Sequence, residues 1–329
     1  MTDNKDLALG KLTPDWEMSC SLLPTLFGVS PYLTLNQQLE LCHKALKGIN
    51  IRSEPNNFMQ VGNYLEKPIA QLTQARCNFL DIDYEITKPV RHKNISLNGS
   101  IDAIAVADNM KIEADKKLGI YTPESKKGFT INGRGIVEIK TSMFPVGEEP
   151  PLHKGVLQVK GLMACTGYDW AVISILHGTD LKMYFYERDF SWEKKELEIA
   201  VTDFNKRVPL LDYYSPFDSR EAARINPQDN GETTELSKEA QLHLANIDTW
   251  KQQSDKLQKL IDEAKTKVMV EMDKAVEGYG KEYKVSYKTV SYKAQPEKTK
   301  VVPAKEAYTQ RRFSSVSYTH LTLPTKRIV

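Results

Sequence analysis

Along the first two hundred residues, apolar positions switch repeatedly between a helical and a strand period. Leu35, Leu39, Cys42 and Leu46 recur at helical spacing and predict an amphipathic helix over 35–46. Leu65, Ile69, Leu72 and Ala75 do the same within 62–79. Proline is best tolerated in the first turn, so Pro68 predicts a helix proper that begins close to Glu66. Ser30-Pro31-Tyr32 reads as a turn, and Ile82-Asp83-Tyr84-Glu85-Ile86 alternates as a strand does. Asn98-Gly99 predicts a turn before a strand over 101–106. The polar stretch 108–133 reads as an excursion between two strands of one sheet, the second over 135–141. A loop over 145–151 leads to a helix over 152–165, ended by Thr166-Gly167. Strands over 170–176 and 181–186 and a helix over 191–207 follow. Residues 215–235 are rich in Pro, Asp, Asn and Gly and read as a linker. Helical periodicity then returns over 236–276, and Tyr283 to Lys288 alternates like a hairpin strand.

Strands followed by covering helices predict an α/β (α+β) fold, a central mixed sheet flanked by helices, with a helical segment and β-hairpin appended at the C-terminus. Residues 1–230 are expected to form the core, 231–314 the extension, and 315–329 a separate tail. At 40% hydrophobic and 27% charged residues, the composition is that of an ordinary globular protein. No apolar run is long enough to span a bilayer and Met1 to Asp6 shows no signal pattern, so no membrane association and a cytoplasmic location are expected. Cys20, Cys42, Cys77 and Cys165 are scattered without a C-x-x-C, which argues against a zinc site, an iron–sulfur cluster or a disulfide framework. A formal charge of +2 means that nucleic-acid affinity would have to come from a local basic surface.

Glu138 and Lys140 lie two residues apart in the apolar run Ile136-Val137-Glu138-Ile139-Lys140, which in a strand puts both on one face. The same E-x-K spacing at Glu124–Lys126, Glu193–Lys195, Glu263–Lys265 and Glu282–Lys284 lacks that apolar setting or an acidic partner. The wet face of an edge strand would also give such alternation. Asp102 shifts the balance, because it interrupts the apolar run Ile101 to Val106. A buried carboxylate is costly unless paired or metal-bound, and a cation between Asp102 and Glu138 relieves both. The alternative for Asp102 is a turn cap. His153 and His177 are isolated and read as structural. The lysines and tyrosines from Lys281 to Arg312 suit either a nucleic-acid backbone or a solvated hairpin.

The set resembles the PD-(D/E)xK nuclease superfamily, and within it the lambda-exonuclease-like family that includes the YqaJ-type viral recombinases. Ser21 matches a helix-start serine, Gly28-Val29-Ser30-Pro31-Tyr32 the G-x-S-P-Y turn, and Gly62 to Glu66 the G-x-x-x-E helix. Gly99-Ser100-Ile101-Asp102 and Glu138-Ile139-Lys140 resemble the metal-binding pair, and Gln158 to Gly167 the following helix. The resemblance runs in order over residues 16–207, with a further likeness at Tyr308 to Phe313. It implies a restriction-endonuclease-like core and a 5′→3′ exodeoxyribonuclease of phage-type recombination, acting on linear duplex ends and leaving 3′ single strands for an annealing protein. It also implies Mg²⁺, with Mn²⁺ as a substitute, held by Glu66, Asp102, Glu138 and the carbonyl of Ile139, with Lys140 and Gln158 completing the catalytic set. Ser21, Ser30, Tyr32 and Lys160 are the expected DNA and phosphate contacts. By family analogy the chain forms a ring trimer, in the host bacterial cytoplasm. The alternatives are a RecB-like or structure-specific endonuclease, or a catalytically silent DNA-binding protein. The family's arginine before the first serine has no counterpart here, Lys11 being the nearest substitute. Ser315 to Thr325 resembles the conceptual translation of a sequencing adapter, and 315–329 is set aside on that expectation.

Overall fold

The computed structural model describes residues 13–52, 54, 56–123 and 129–291, with backbone only at 129. The chain divides between Asp218 and Ser219 into two units. In the first, β1 (Met18–Ser19) leads through a tight turn, Cys20–Leu22, into α1 (Leu23–Leu26), α2 (Leu35–Leu46) and α3 (Asn57–Cys77). Seven strands end with β7: β2 (Asp81–Asp83), β3 (Val90–Arg91), β4 (Leu97–Gly99), β5 (Ala103–Ile112), β6 (Ile120–Tyr121) and β7 (Phe129–Thr141) follow β1. An irregular turn, Leu152–Val156, precedes α4 (Leu157–Thr166). Then come β8 (Trp170–His177), β9 (Asp180–Glu187), α5 (Phe190–Trp192) and α6 (Glu198–Arg207). The second unit holds α7 (Ser219–Ile225), α8 (Lys238–Met272) and the hairpin β10 (Glu277–Tyr279) and β11 (Lys284–Ser286). No helix among the described residues is long and apolar enough to cross a membrane.

The central sheet has the order β2-β5-β7-β8-β9-β6 and is mixed: β7–β8 and β6–β9 run parallel, the other pairs antiparallel. A smaller sheet, β1-β4-β3, lies beside it in the first unit. Alternation along β7 sorts its side chains into two layers. Ile136 joins Leu23, Leu162, Ile173 and Phe204 in one buried cluster, and Val137 and Ile139 join Ile69, Ala70, Val172 and Phe185 in the other. With both faces covered, β8 reads as a nearly unbroken apolar run, Trp170-Ala171-Val172-Ile173-Ser174-Ile175. The one hydroxyl in it is satisfied, since Thr73 on α3 donates to Ser174 Oγ at 2.8 Å. A mixed sheet between helical layers is therefore the fold that the periodicity predicts.

Several boundaries differ from expectation. α3 begins at Asn57, not near Glu66, and Pro68 lies inside it. The start is set by Asn56, whose side chain accepts the Met59 N–H at 3.0 Å. Pro68 costs the helix one hydrogen bond, and the packing of Ile69, Ala70 and Thr73 against the sheet holds it nonetheless. Asn98-Gly99 is strand, not turn. Gly99 is there for space: a Cβ would lie 2.5 Å from Leu162 Cδ2 and 3.0 Å from Cys20 Sγ. The strand expected over 82–86 stops at Asp83, because Asp83 turns the chain by accepting the Glu85 N–H at 2.9 Å. The expected excursion over 108–133 is largely strand. β5 and β7 pair as far as Ile112 opposite Phe129, with an irregularity between Ala107 and Met110. There Asn109 adopts φ 44° and donates its N–H to Asn132 Oδ1 at 3.1 Å, so a bulge breaks the period that alternation reads. The helix expected from 152 begins at Leu157, because Lys154 and Gly155 leave helical geometry, Gly155 at φ +93°. α4 does end at Gly167, at φ 80°. The expected linker contains α7, and α8 ends at Met272. The adapter-like tail, Lys11, Glu124–Lys126 and Tyr308 to Phe313 lie outside the described residues.

Candidate active site

Most of the candidate side chains gather around one cleft beside β7. The C-terminal half of β7 supplies Ile139, Lys140 and Thr141, and Asp102 stands just ahead of β5. α3 supplies Phe58, Met59, Gly62, Asn63 and Glu66, and α4 supplies Gln158. With Thr13, Ser19, Ser21 and Ser100 they line a cleft of about 470 Å³. Glu138 is fully buried, on the same face of β7 as Lys140. β5 and β7 are antiparallel, with Ala103 opposite Val137, so Asp102 comes level with Glu138 and Ile139. The register is fixed by a hydrogen bond: the Ile139 N–H donates to Asp102 Oδ2 at 2.8 Å.

The site holds more negative than positive charge. Lys140 donates to Glu138 Oε1, while Glu138 Oε2 is buried with no hydrogen-bond partner among the described residues. Burial, with the charge of Asp102 added, pushes the Glu66 carboxyl up to about 7 against the pull of Lys140. Glu138 is raised too, by burial first and then by Asp102. Burial opposes the charge on Lys140, but Glu138, Asp102 and Glu66 outweigh it and hold the ammonium protonated above its ordinary range. Burial and the neighbouring negative charge thus disfavour ionised Glu66 and Glu138, and further positive charge in the cleft would favour it.

The residues fit a hard divalent cation. All the donors are oxygens, which suits Mg²⁺ or Mn²⁺ rather than a thiophilic metal. The orphaned Glu138 Oε2 is the kind of buried atom that a cation satisfies. Among the described residues no three Asp, Glu, His or Cys side chains already close around a single point. Asp102 is turned to the Ile139 amide and Glu138 to Lys140.

Of the residues expected from sequence, Glu66, Asp102, Ile139, Lys140, Gln158 and Ser21 line the cleft, with Glu138 beneath it. Ser30, Tyr32 and Lys160 are not among the lining residues. Ser30 Oγ accepts the Tyr32 N–H at 3.3 Å, and the Tyr32 ring is exposed. Lys160 Nζ lies 3.5 Å from Asp189 Oδ2 and over the Trp192 ring. His177 Nδ1 lies 3.0 Å from the Ser142 carbonyl oxygen. Sequence reasoning missed Thr13, Ser19, Phe58, Met59, Asn63 and Thr141. Ser19 is buried, with its Oγ 3.0 Å from Ser21 Oγ. The α3 residues had a readable signal: Phe58, Gly62 and Glu66 recur every four residues, one helical face once the Asn56 cap is recognised.

No family model matches the sequence, and no curated protein matches it. Solved structures similar to part of it include LHK-Exo in complex with dAMP, at TM-score 0.42 and 16% identity over 64% of this chain and 95% of that one. The alkaline exonuclease LHK-Exo from Laribacter hongkongensis gives 0.40 and 17% over 64% and 96%. A phage related exonuclease from Haemophilus somnus 129PT gives 0.38 and 16% over 58% and 94%.

Proposed function

We propose that the chain is a divalent-metal-dependent deoxyribonuclease of phage-type recombination that degrades one strand of linear duplex DNA from its 5′ end and leaves 3′ single strands for an annealing protein. The observation that carries this reading is the meeting of Asp102, Glu138, Lys140 and Glu66, from three elements far apart in sequence, around one cleft walled by hydroxyls. Asp102, Glu138, Glu66 and the Ile139 carbonyl are the residues to hold Mg²⁺. The ion, when bound, supplies Lewis acidity and lowers the pKa of a bound water.

The chain's own groups do the rest. Lys140 carries a firmly held proton and stands beside Glu138, so it acts as a fixed positive charge facing the negative charge that develops on the phosphoryl oxygens. The Ile139 amide fixes Asp102, which keeps one carboxylate oriented before substrate arrives. Gln158 offers an amide for orienting a water, and Ser19 and Ser21 offer hydroxyl donors for phosphate oxygens.

Duplexes labelled at either end, in linear and circular form, test the reading. Loss of the 5′ label from linear DNA alone is the expected result. Nicking of circles would make the chain an endonuclease on the same site. DNA binding without cleavage in either metal would make it a silent binder.

A further inference from the structure

The ladder between β7 and β8 runs one step past Thr141: the Ser142 N–H donates to the Leu176 carbonyl at 2.8 Å. Glu138, Lys140 and Ser142 therefore follow one another on one face, with Ser142 roughly 7 Å beyond Lys140. On that face lies the turn ahead of α4. Its Gly155, at φ +93°, is packed so closely that a Cβ would lie 3.2 Å from Ile173 Cγ2 and 3.5 Å from Glu138 Cγ. Lys154, the residue before it, is half-buried and donates from Nζ to Ser142 Oγ at 2.6 Å. The loop that joins Ser142 to Lys154 is fastened at its middle as well. Lys182 Nζ donates to the Val146 carbonyl and Tyr184 Oη to the Gly147 carbonyl, each at 2.6 Å. Lys154 is thus held beside the Glu138–Lys140 pair before any substrate arrives.

The surroundings of Lys154 leave its charge unanswered. Lys140, Lys160 and Lys182 are also half-buried, and each stands beside a carboxylate, of Glu138, Asp189 and Asp180 respectively. Among the described residues Lys154 has no carboxylate within ion-pair distance, and its partner Ser142 is a neutral hydroxyl. That hydroxyl is itself committed: it donates to the Phe144 carbonyl at 2.6 Å and accepts the Phe144 N–H at 3.3 Å. An ammonium carries three donors, so two remain, together with a full positive charge in a partly desolvated place. A neutral donor would serve to fasten the loop to Ser142, so the charge points to an anion. We propose, on the reading of the cleft as a phosphodiester site, that Lys154 binds the backbone phosphate next to the scissile one on the strand being degraded. Lys140, among the metal-binding carboxylates, faces the phosphate under attack, and Lys154, further along the same face, takes its neighbour. Such a contact fixes the register of the strand and reads no sequence.

Binding of linear duplex DNA to the full chain in Ca²⁺, read by fluorescence anisotropy over a range of salt, tests this without cleavage. Lys154→Met is expected to weaken binding roughly ten-fold at low salt, equally for unrelated sequences, and to lower the slope of log affinity against log salt by about one. Lys154→Arg is expected to keep both. Ser142→Ala removes the anchor of the loop but leaves the ammonium, and is expected to keep the slope. Neutral methylphosphonates placed one at a time along the 5′ end of the degraded strand locate the contact. At one position next to the scissile phosphate, wild type is expected to lose about ten-fold and Lys154→Met nothing further. Wild-type affinity and slope in Lys154→Met, the same loss of slope in Ser142→Ala, or equal methylphosphonate losses in wild type and Lys154→Met at every position overturns the proposal. Cleavage that persists alongside any of these results leaves the hydrolytic reading standing, whereas a wild type that binds no DNA overturns both.

Discussion

At the scale of single residues, the site is a problem of unbalanced charge. Among the described residues Glu138 Oε2 is buried without a partner, and Lys140 is one positive charge beside three carboxylates. Asp102→Asn and Glu138→Gln keep shape and remove charge. Each is expected to lower the rate of nucleotide release by about 10²–10³-fold or more, as losing a group that stabilises transition-state charge does. Binding of DNA, read by fluorescence anisotropy in Ca²⁺, is expected to stay within a few-fold of wild type. Lys140→Met should abolish cleavage and also lower stability by about 1–3 kcal/mol in urea, because it removes the hydrogen bond that Lys140 gives the buried Glu138. A Lys140→Met protein as stable as wild type would mean that the pair does not hold the site together. Glu138 is legible in sequence because a carboxylate inside an apolar strand is expensive and demands a reason, Asp102 because it interrupts an apolar run, and Lys140 because it shares a strand face with Glu138. Ser19 and Thr13 are not legible, because a small hydroxyl costs little to bury and leaves no mark on the periodicity.

At the scale of elements, β7 carries the site and its neighbours fix where it ends. Gly135 lets the Trp170 indole lie against the strand: a Cβ there would fall 2.1 Å from Trp170 Cε2. The indole is also anchored by donating to the Asn132 carbonyl at 3.2 Å. Gly135→Ala must push that ring aside and is expected to cost about 1–3 kcal/mol by chemical denaturation. A neutral substitution would show that the strand shifts freely. Asn56→Ala removes the cap of α3, the helix that carries Phe58, Gly62 and Glu66, and is expected to cost about 1 kcal/mol. The cores of α2, α3, α4, β7, β8 and β9 are readable from period alone, while short elements such as β1, β4 and α7 are not, and α2 is bounded where Thr34 and Gln37 cap it reciprocally. Ends are read poorly where a long-range contact decides them. Gly99 looks like a turn until the side chains of Leu162 and Cys20 are placed against it, and Pro68 looks like a helix start until the sheet beneath it is known.

At the scale of the whole molecule, the sheet joins two layers so that α3 and α4 face one cleft from opposite sides, and the order β2-β5-β7-β8-β9-β6 brings Asp102 to Glu138 across the antiparallel pair β5–β7. That convergence is invisible to local pattern, and the family resemblance of the motifs is what makes it expected. A ligand that binds only the folded state stabilises it, by about 2.7 kcal/mol when present at a hundred times its dissociation constant. Mg²⁺ at such a level is therefore expected to raise the melting temperature of wild type and not that of Glu138→Gln. The most direct test is the release of nucleotides from linear duplex DNA, measured for wild type and Glu138→Gln with Mg²⁺ and again with excess EDTA. The account predicts rapid release by wild type with Mg²⁺ and almost none under the other three conditions. Release by Glu138→Gln at the wild-type rate, or release by wild type that persists in EDTA, would contradict it.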